Sequence, residues 1–394
     1  MNNKILEKAV QDYIALHLNT DVNQIALAKS PFSSLSASEL ANQITSKKKS
    51  EKKLPTWFNT QGIYYPPALS IEQTSSEITA KYKSKLAKGN SLIDLTGGFG
   101  IDTYYFAGKI SLVTHCEINP ELSKIAAYNA RVLKANNIEF KPVDGIELLK
   151  NTTDKFDTIY VDPARRAEKG KVFLLKDCTP DVVNNLDLLI SKADRIIIKT
   201  APLLDISAGL QELNHVSEIH VVSVKNECKE LLWVIDRDYT ETPKIIAVTL
   251  NHEEKKFSFK KESENKHVSF TDTINAGMYL YEPDTALLKT GAFNLIGQHY
   301  HLSKLHPQTQ LYTSGIIQNK FPGRIFEIKE ILSTGDMKKQ KSLTGNVIVR
   351  NYPAKPEDLM KKYKIKPDKV DFLIFTKKNK GENIIIKASI IQYY

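Results

Sequence analysis

Apolar residues recur at helical spacing near the start of the chain and in short strand-like runs through its middle. Ile5, Ala9, Val10, Tyr13 and Leu16 share one helical face, and Ser36-Ala37-Ser38-Glu39 opens a second periodic run. Residues 3–46 therefore predict helices. The basic run 47–53 reads as an exposed helix end, and Pro55 with Pro66-Pro67 marks an extended connector. A further helix is predicted over 71–87, with Glu72 and Glu77 early and lysines late, matching the helix dipole.

From Ser91 to Asp236 the pattern changes. Strands are predicted at 91–95, 112–117, 138–143, 158–161, 195–199, 220–225 and 230–236. Amphipathic stretches separate most of the first five, which is the signature of βαβ units and a parallel sheet. The last two lie close enough for a closing hairpin. Beyond Asp238 the chain is rich in Lys, Tyr and β-branched residues and reads as one or two small α+β units. Helices are predicted at 287–293 and 357–363, and strands at 324–328, 346–349, 370–375 and 383–388. No internal repeat is evident.

Composition narrows the class. The 394 residues are 41% hydrophobic and 25% charged, ordinary for a globular protein of two or three domains. No run reaches the ~18–20 apolar residues of a membrane-spanning helix, and Glu7 and Asp12 break the start, which argues against a signal peptide. The three cysteines (Cys116, Cys178, Cys228) have no paired metal spacing. A cytoplasmic protein without disulfides or zinc is expected. His299, His301 and His306 lack Cys or carboxylates at ligand spacing, so no metal is expected there either.

The net charge of +10 is unevenly spread. Residues 1–88 carry 12 basic and 7 acidic side chains, residues 89–239 carry 18 and 22, and residues 240–394 carry 25 and 16. An acidic centre between basic flanks suits a chain whose ends hold a polyanion such as RNA. A solubilising Lys-rich surface is the competing explanation.

The strongest chemical signal is Ser91-Leu92-Ile93-Asp94-Leu95-Thr96-Gly97-Gly98-Phe99-Gly100, an apolar strand running into a glycine-rich turn. Glycines let backbone turn tightly and approach a ligand without Cβ interference. Glu117, at the end of the next predicted strand, can accept from a ribose diol. Asp144, ending the third, can accept from an adenine amino group. The three strand ends describe a nucleoside pocket on the carboxyl edge of an open sheet. Asp94 beside the loop disfavours a pyrophosphate and suits a cationic amino-acid moiety, so S-adenosylmethionine is favoured over NAD. The candidate cofactor-binding residues are Asp94, Thr96, Gly97, Gly98, Gly100, Glu117 and Asp144.

On these residues, with Asp162-Pro163-Ala164-Arg165, the chain resembles the class I S-adenosylmethionine-dependent methyltransferases over residues 91–236. More narrowly, residues 69–77, the Asp-Pro-Ala-Arg-Arg run, and stretches 279–306 and 344–353 look like a bacterial methyltransferase family with a THUMP-like C-terminal domain. The resemblance implies an α/β protein: a Rossmann-like methyltransferase core with a mostly parallel seven-stranded sheet, a helical N-terminal domain and an α+β C-terminal region. It implies boundaries at 1–88, 89–239, 240–318 (ferredoxin-like) and 319–394 (THUMP-like). It also implies RNA as substrate, because THUMP domains accompany RNA modification enzymes.

Candidate catalytic residues follow from placement. Asp162 ends the fourth predicted strand, where a carboxylate can orient a nucleophile or accept its proton. The amino-group methyltransferases continue with Pro-Pro-aromatic; here Ala164 and Arg165 stand instead, so the stacking platform is missing. Carbon-5 pyrimidine chemistry needs a cysteine nucleophile, and the strand ending at Lys199 has none. Lys81 or Lys83 with Asp162, Lys199 and Glu230 resembles the Lys-Asp-Lys-Glu set of ribose 2′-O-methyltransferases, although Pro163 departs from it. Arg165 and Arg166, two of only seven arginines, suit a phosphate or a base face. Trp57, Phe58, Tyr64 and Tyr65 are either a base-stacking surface or packing between domains. Two other functions remain open: a methyltransferase for proteins or small molecules, and a non-catalytic RNA-binding protein with a degenerate fold.

Overall fold

A computed structural model describes residues 1–165, 174–261, 267–339 and 343–394. The backbone divides into two compact units: Met1–Ser217 with Leu232–Thr240, and Glu218–Leu231 with Glu241–Tyr394.

The first unit begins with helices. In α1 (Ala37–Lys53), the Ser36 hydroxyl accepts from the Glu39 amide and the Glu39 carboxylate accepts from the Ser36 amide, a complete capping box. Its Leu40 and Ile44 join Trp57, Ile63 and Tyr65 in one core. The single helix expected over 71–87 is two, α2 (Ala68–Gln73) and α3 (Glu77–Ser84). Ser76 adopts an extended backbone and its hydroxyl caps Thr79, starting a new helix rather than continuing the old one. This break places Thr74 and Ser75 in non-helical backbone.

The sheet follows as expected. Strands β1 (Ser91–Asp94), β2 (Leu112–Cys116), β3 (Ile138–Lys141), β4 (Phe156–Val161) and β5 (Ala193–Thr200) pair in parallel. Between them run α4 (Ile101–Ala107), α5 (Pro120–Val132), α6 (Gly145–Asn151) and α7 (Leu186–Lys192). Ile93, Ile159 and Ile197 are fully buried, as strands covered on both faces require. After α8 (Ile206–Glu212), β6 (Val216–Val224) and β7 (Glu227–Asp236) flank Lys225 and Asn226, at φ +50° and +60°. Two consecutive positive φ values are the hairpin turn whose twist suits the strands.

The sheet order is β9-β8-β6-β7-β5-β4-β1-β2-β3, with β8 (Lys244–Leu250) and β9 (Glu254–Lys260) added. It therefore has nine strands where seven are expected. The addition comes from the apolar run Ile245–Leu250, which pairs parallel to β6 and antiparallel to β9.

The second unit contains a seven-stranded sheet built from β10 (Tyr279–Pro283), β11 (Ser303–His306), β12 (Thr309–Ser314), β13 (Gly323–Leu332), β14 (Asn346–Val349), β15 (Asp371–Lys377) and β16 (Asn383–Gln392). Their order is β11-β12-β10-β13-β16-β15-β14. The expected 287–293 helix is instead α9 (Thr285–Thr290) and α10 (Phe293–His299), because Gly291 at φ +75° ends the first. Alternation along β15 and β16 feeds two cores. Phe372, Ile374, Ile384 and Ile386 face one, while Leu373, Phe375 and Ile385 face the other. The second core is completed by Met337 of α11 (Thr334–Lys339) and by Leu359 and Tyr363 of α12 (Pro356–Tyr363). Among the described residues no helix is long and apolar enough to cross a membrane.

Candidate functional site

The C-terminal end of β1 is tied down on all sides. Asp94 is fully buried; its carboxylate accepts from the Thr96 amide at 3.0 Å and the Thr103 hydroxyl at 2.6 Å. The Leu95 amide donates to the Tyr160 carbonyl, and the Gly97 amide to the Cys116 carbonyl. Gly98 and Gly100 adopt φ +55° and +83°, where a β-carbon is strained. Gly97 lies flat against His115: a Cβ there would stand 2.3 Å from the imidazole ring. Burial pushes the His115 pKa down to about 4, so the ring is neutral at pH 7.

Asp94, which by sequence suits a cationic amino-acid moiety, is buried here and bonds both the glycine loop and α4. Burial raises its pKa to about 7, against the stabilising Thr103 hydrogen bond, with the nearby Asp102 and Asp162 charges adding to the rise.

The neighbouring strand ends supply the other expected residues. The Glu117 carboxylate accepts from the Gly98 amide at 3.0 Å and the Asn119 amide at 2.8 Å, bracing the glycine turn from the next strand. Asp144 is exposed and caps α6, accepting from Ile146 and Glu147 amides. Gly145 beside it meets β1 so closely that a Cβ would lie 2.7 Å from Leu95 backbone. At the end of β4 the Asp162 amide donates to the Thr96 hydroxyl at 2.7 Å, and Lys199 donates to Asp162 Oδ2 at 2.7 Å. Asp162 Oδ1 makes no hydrogen bond among the described residues.

A cleft of about 120 Å³ opens at this edge. Its walls are the glycine turn, Asp162, Asp102 at the start of α4, and Thr74 and Ser75 from the break between α2 and α3. Beneath it lies a charged network. Lys83, with no solvent exposure, contacts Asp102 at 2.9 Å and the Ser75 hydroxyl at 2.5 Å. The Ser75 and Tyr160 hydroxyls both donate to Asp102, at 2.7 and 2.9 Å. Thr74, Ser75 and Asp102 were not anticipated from sequence. The available signal was the Ser75-Ser76 pair within an otherwise helical pattern, where a hydroxyl can start a new helix.

Within the expected Lys-Asp-Lys-Glu set, Asp162 and Lys199 meet, Lys83 contacts Asp102 and Ser75, and exposed Lys81 lies 3.8 Å from Glu77. Glu230 is buried in the second unit. Arg165 pairs through its backbone with Cys178; its side chain and the whole of Arg166 fall outside the described residues. Cys178 is fully buried. Trp57, Tyr64 and Tyr65 are buried as well, Trp57 packing on Phe99, Tyr104 and Tyr105. These aromatics are core, not a stacking platform. Among the described residues no group of three or more His, Cys, Asp or Glu could hold a metal ion. A larger concavity of about 370 Å³ in the second unit, beside Gln298 and His301, contains none of the expected residues.

Three comparisons bear on this geometry. Residues 279–322 match the profile of a ferredoxin-like domain family, and residues 323–389 that of a THUMP domain-like family. A candidate methyltransferase of Porphyromonas gingivalis W83, known from a crystal structure, is 32% identical, with 99% of each chain covered and a TM-score of 0.85. A protein of Mycoplasma mobile named as an uncharacterized RNA methyltransferase is 28% identical over 175 residues, 40% of this chain. The match spans about half of that relative's length, 48%.

Proposed function

Since the chain belongs to the methyltransferase family represented by the Porphyromonas gingivalis protein, and carries a THUMP-like C-terminal domain, we propose that it methylates RNA using S-adenosylmethionine. The observation that carries the reading is the cleft where the glycine turn, Thr74-Ser75, Asp102 and Asp162 meet.

The residues present suit this cofactor. Hydroxyls of Thr74, Ser75 and Thr96 together with the Asp102 carboxylate suit a zwitterionic amino-acid end beside a cationic sulfur. Glu117 and Asp144 would receive the ribose diol and the adenine amino group. When bound, S-adenosylmethionine supplies a methyl group activated by its sulfonium. The protein's part is then proximity and orientation of the acceptor. Lys199 holds Asp162 Oδ2 and so fixes the carboxylate plane, leaving Oδ1 to accept a hydrogen bond from the incoming nucleophile and to take up its proton.

A base nitrogen is the acceptor favoured here. The ribose 2′-O alternative relies on a lysine as base, and Lys83 is occupied by Asp102 and Ser75. The test is mass spectrometry of nucleosides from total RNA of cells with and without the gene. Loss of one base-methylated nucleoside is expected. Loss of a 2′-O-methylated one would move the acceptor to ribose, and an unchanged profile would remove RNA as substrate. Calorimetric titration with S-adenosylmethionine tests the cofactor independently.

A further inference from the structure

The cleft beside the glycine turn is lined by hydroxyls whose hydrogen-bond direction their neighbours fix. A hydroxyl has one hydrogen and two lone pairs. An ammonium or amide nitrogen only donates, and a carboxylate or carbonyl only accepts. A hydroxyl bonded to such groups therefore has no choice of direction.

Ser75 is the clearest case. The wholly buried Lys83 ammonium donates to its oxygen at 2.5 Å, so Ser75 cannot donate back. Its hydrogen goes to the Asp102 carboxylate at 2.7 Å. Lys83 and the Tyr160 hydroxyl donate to that same carboxylate at 3.1 and 2.9 Å, which holds it in place. One lone pair of Ser75 remains for a ligand. Thr74 is set alike: its hydroxyl donates to the Ile71 carbonyl at 3.1 Å and keeps only lone pairs. The side chains of Thr74, Ser75 and Asp102 thus make a wall that accepts and does not donate. Thr96, also lining the cleft, is set the opposite way. Its hydroxyl accepts from the Asp162 amide at 2.7 Å, and its hydrogen makes no hydrogen bond among the described residues.

The amino-acid end of S-adenosylmethionine carries a donor-only ammonium and an acceptor-only carboxylate. Against the accepting wall the ammonium gains charge-assisted hydrogen bonds. A carboxylate there would set lone pair against lone pair, beside the like charge of Asp102. We infer that the cleft takes the cofactor in one orientation, with the α-ammonium on Thr74, Ser75 and Asp102 and the α-carboxylate toward the Thr96 hydroxyl. Thr74 and Ser75 are then the residues that select for the amino group. The assignment rests on S-adenosylmethionine being the cofactor and adds how its amino-acid end is read.

The test measures calorimetric affinity for three thioethers: S-adenosylhomocysteine, its analogue lacking only the carboxylate, and its analogue lacking only the amino group. The wild-type protein is compared with Ser75→Ala, Thr74→Val and Thr96→Val. Ser75→Ala should weaken both amino-bearing ligands by about tenfold or more, the worth of a hydrogen bond to a charged group. The ligand without an amino group should stay within about twofold of its wild-type affinity. Thr74→Val should show the same pattern more weakly, and it carries the test if Ser75→Ala does not fold. Thr96→Val should do the reverse, weakening the two carboxylate-bearing ligands and sparing the third. Losses in Ser75→Ala and Thr74→Val that follow the carboxylate instead would overturn the orientation and leave the cofactor reading intact. Equal losses for all three ligands would also overturn it, since these hydroxyls would then only shape the cleft. A wild type that binds no S-adenosylhomocysteine would remove the orientation and the cofactor together.

Discussion

Lysines serve two opposite purposes in this molecule. At the cleft of the first unit Lys83 is wholly buried between Asp102 and Ser75, and Lys199 is held by Asp162. In the second unit Lys361 and Lys362 of α12, with Lys364 and Lys366 just after it, are exposed and form no ion pair among the described residues. The difference is one of dielectric. A buried cation must be paired, because leaving water is costly, and the pairing fixes geometry. An exposed one costs little, can remain unpaired, and is available to an external anion. Precise placement belongs to the first region and charge availability to the second.

That contrast can be tested, beginning with the largest effect. Asp162→Asn keeps the shape of the site but weakens proton acceptance; methyl transfer should fall by about 10²-fold or more. S-adenosylmethionine affinity, by calorimetry, should stay near wild type. Parallel loss of both would show Asp162 holding the cofactor rather than the acceptor.

Lys83→Met should destabilise the protein by about 3–5 kcal/mol, because Asp102 is left without its buried counter-charge. Urea unfolding measures this, and adding Asp102→Asn should restore part of the loss. A Lys83→Met protein as stable as wild type would mean that the buried lysine is no more constrained than the exposed lysines of α12.

Gly97→Ala drives a methyl group into His115 and should cost about 1–3 kcal/mol, as overpacking does. Denaturation with and without S-adenosylmethionine would show whether the cofactor's stabilising effect shrinks with it.

Asp94 brings pH into the comparison. Its pKa rises from 3.8 to about 7 on folding. The folded state therefore binds the proton more tightly, and this contribution to stability is full below pH 3.8 and lost as pH rises through 7. Asp94→Asn has no such titration. The melting-temperature advantage of wild type over Asp94→Asn should accordingly shrink between pH 4 and 7, and a constant difference would refute the buried, proton-binding carboxylate. Least affected should be the exposed lysines of the second unit: changing Lys361, Lys362, Lys364 and Lys366 to Gln should change stability by no more than about 0.5 kcal/mol.

Much of this was readable in advance. The seven predicted strands of the central region all occur, because covered parallel strands are written as apolar runs bounded by turn residues. The strand ends likewise put Glu117 beside the glycine turn and Asp162 beside Lys199. Other features were not legible. The helix expected over 71–87 has a continuous pattern, yet Ser76 restarts it, and local periodicity cannot show which hydroxyl caps. Two further strands after Asp238 join the first sheet, since pairing depends on a partner strand far away in sequence.

The sequence by itself determined which segments become strands and helices, that a glycine turn follows β1, and that the surplus of positive charge lies in the flanks. Those properties are local or additive. Only the tertiary structure decided that Asp94 is buried, that Lys83 pairs with Asp102, and that Asp162 meets Lys199. Each of those depends on which side chains from distant segments meet and on what burial does to a charge, and neither is a property of neighbours along the chain.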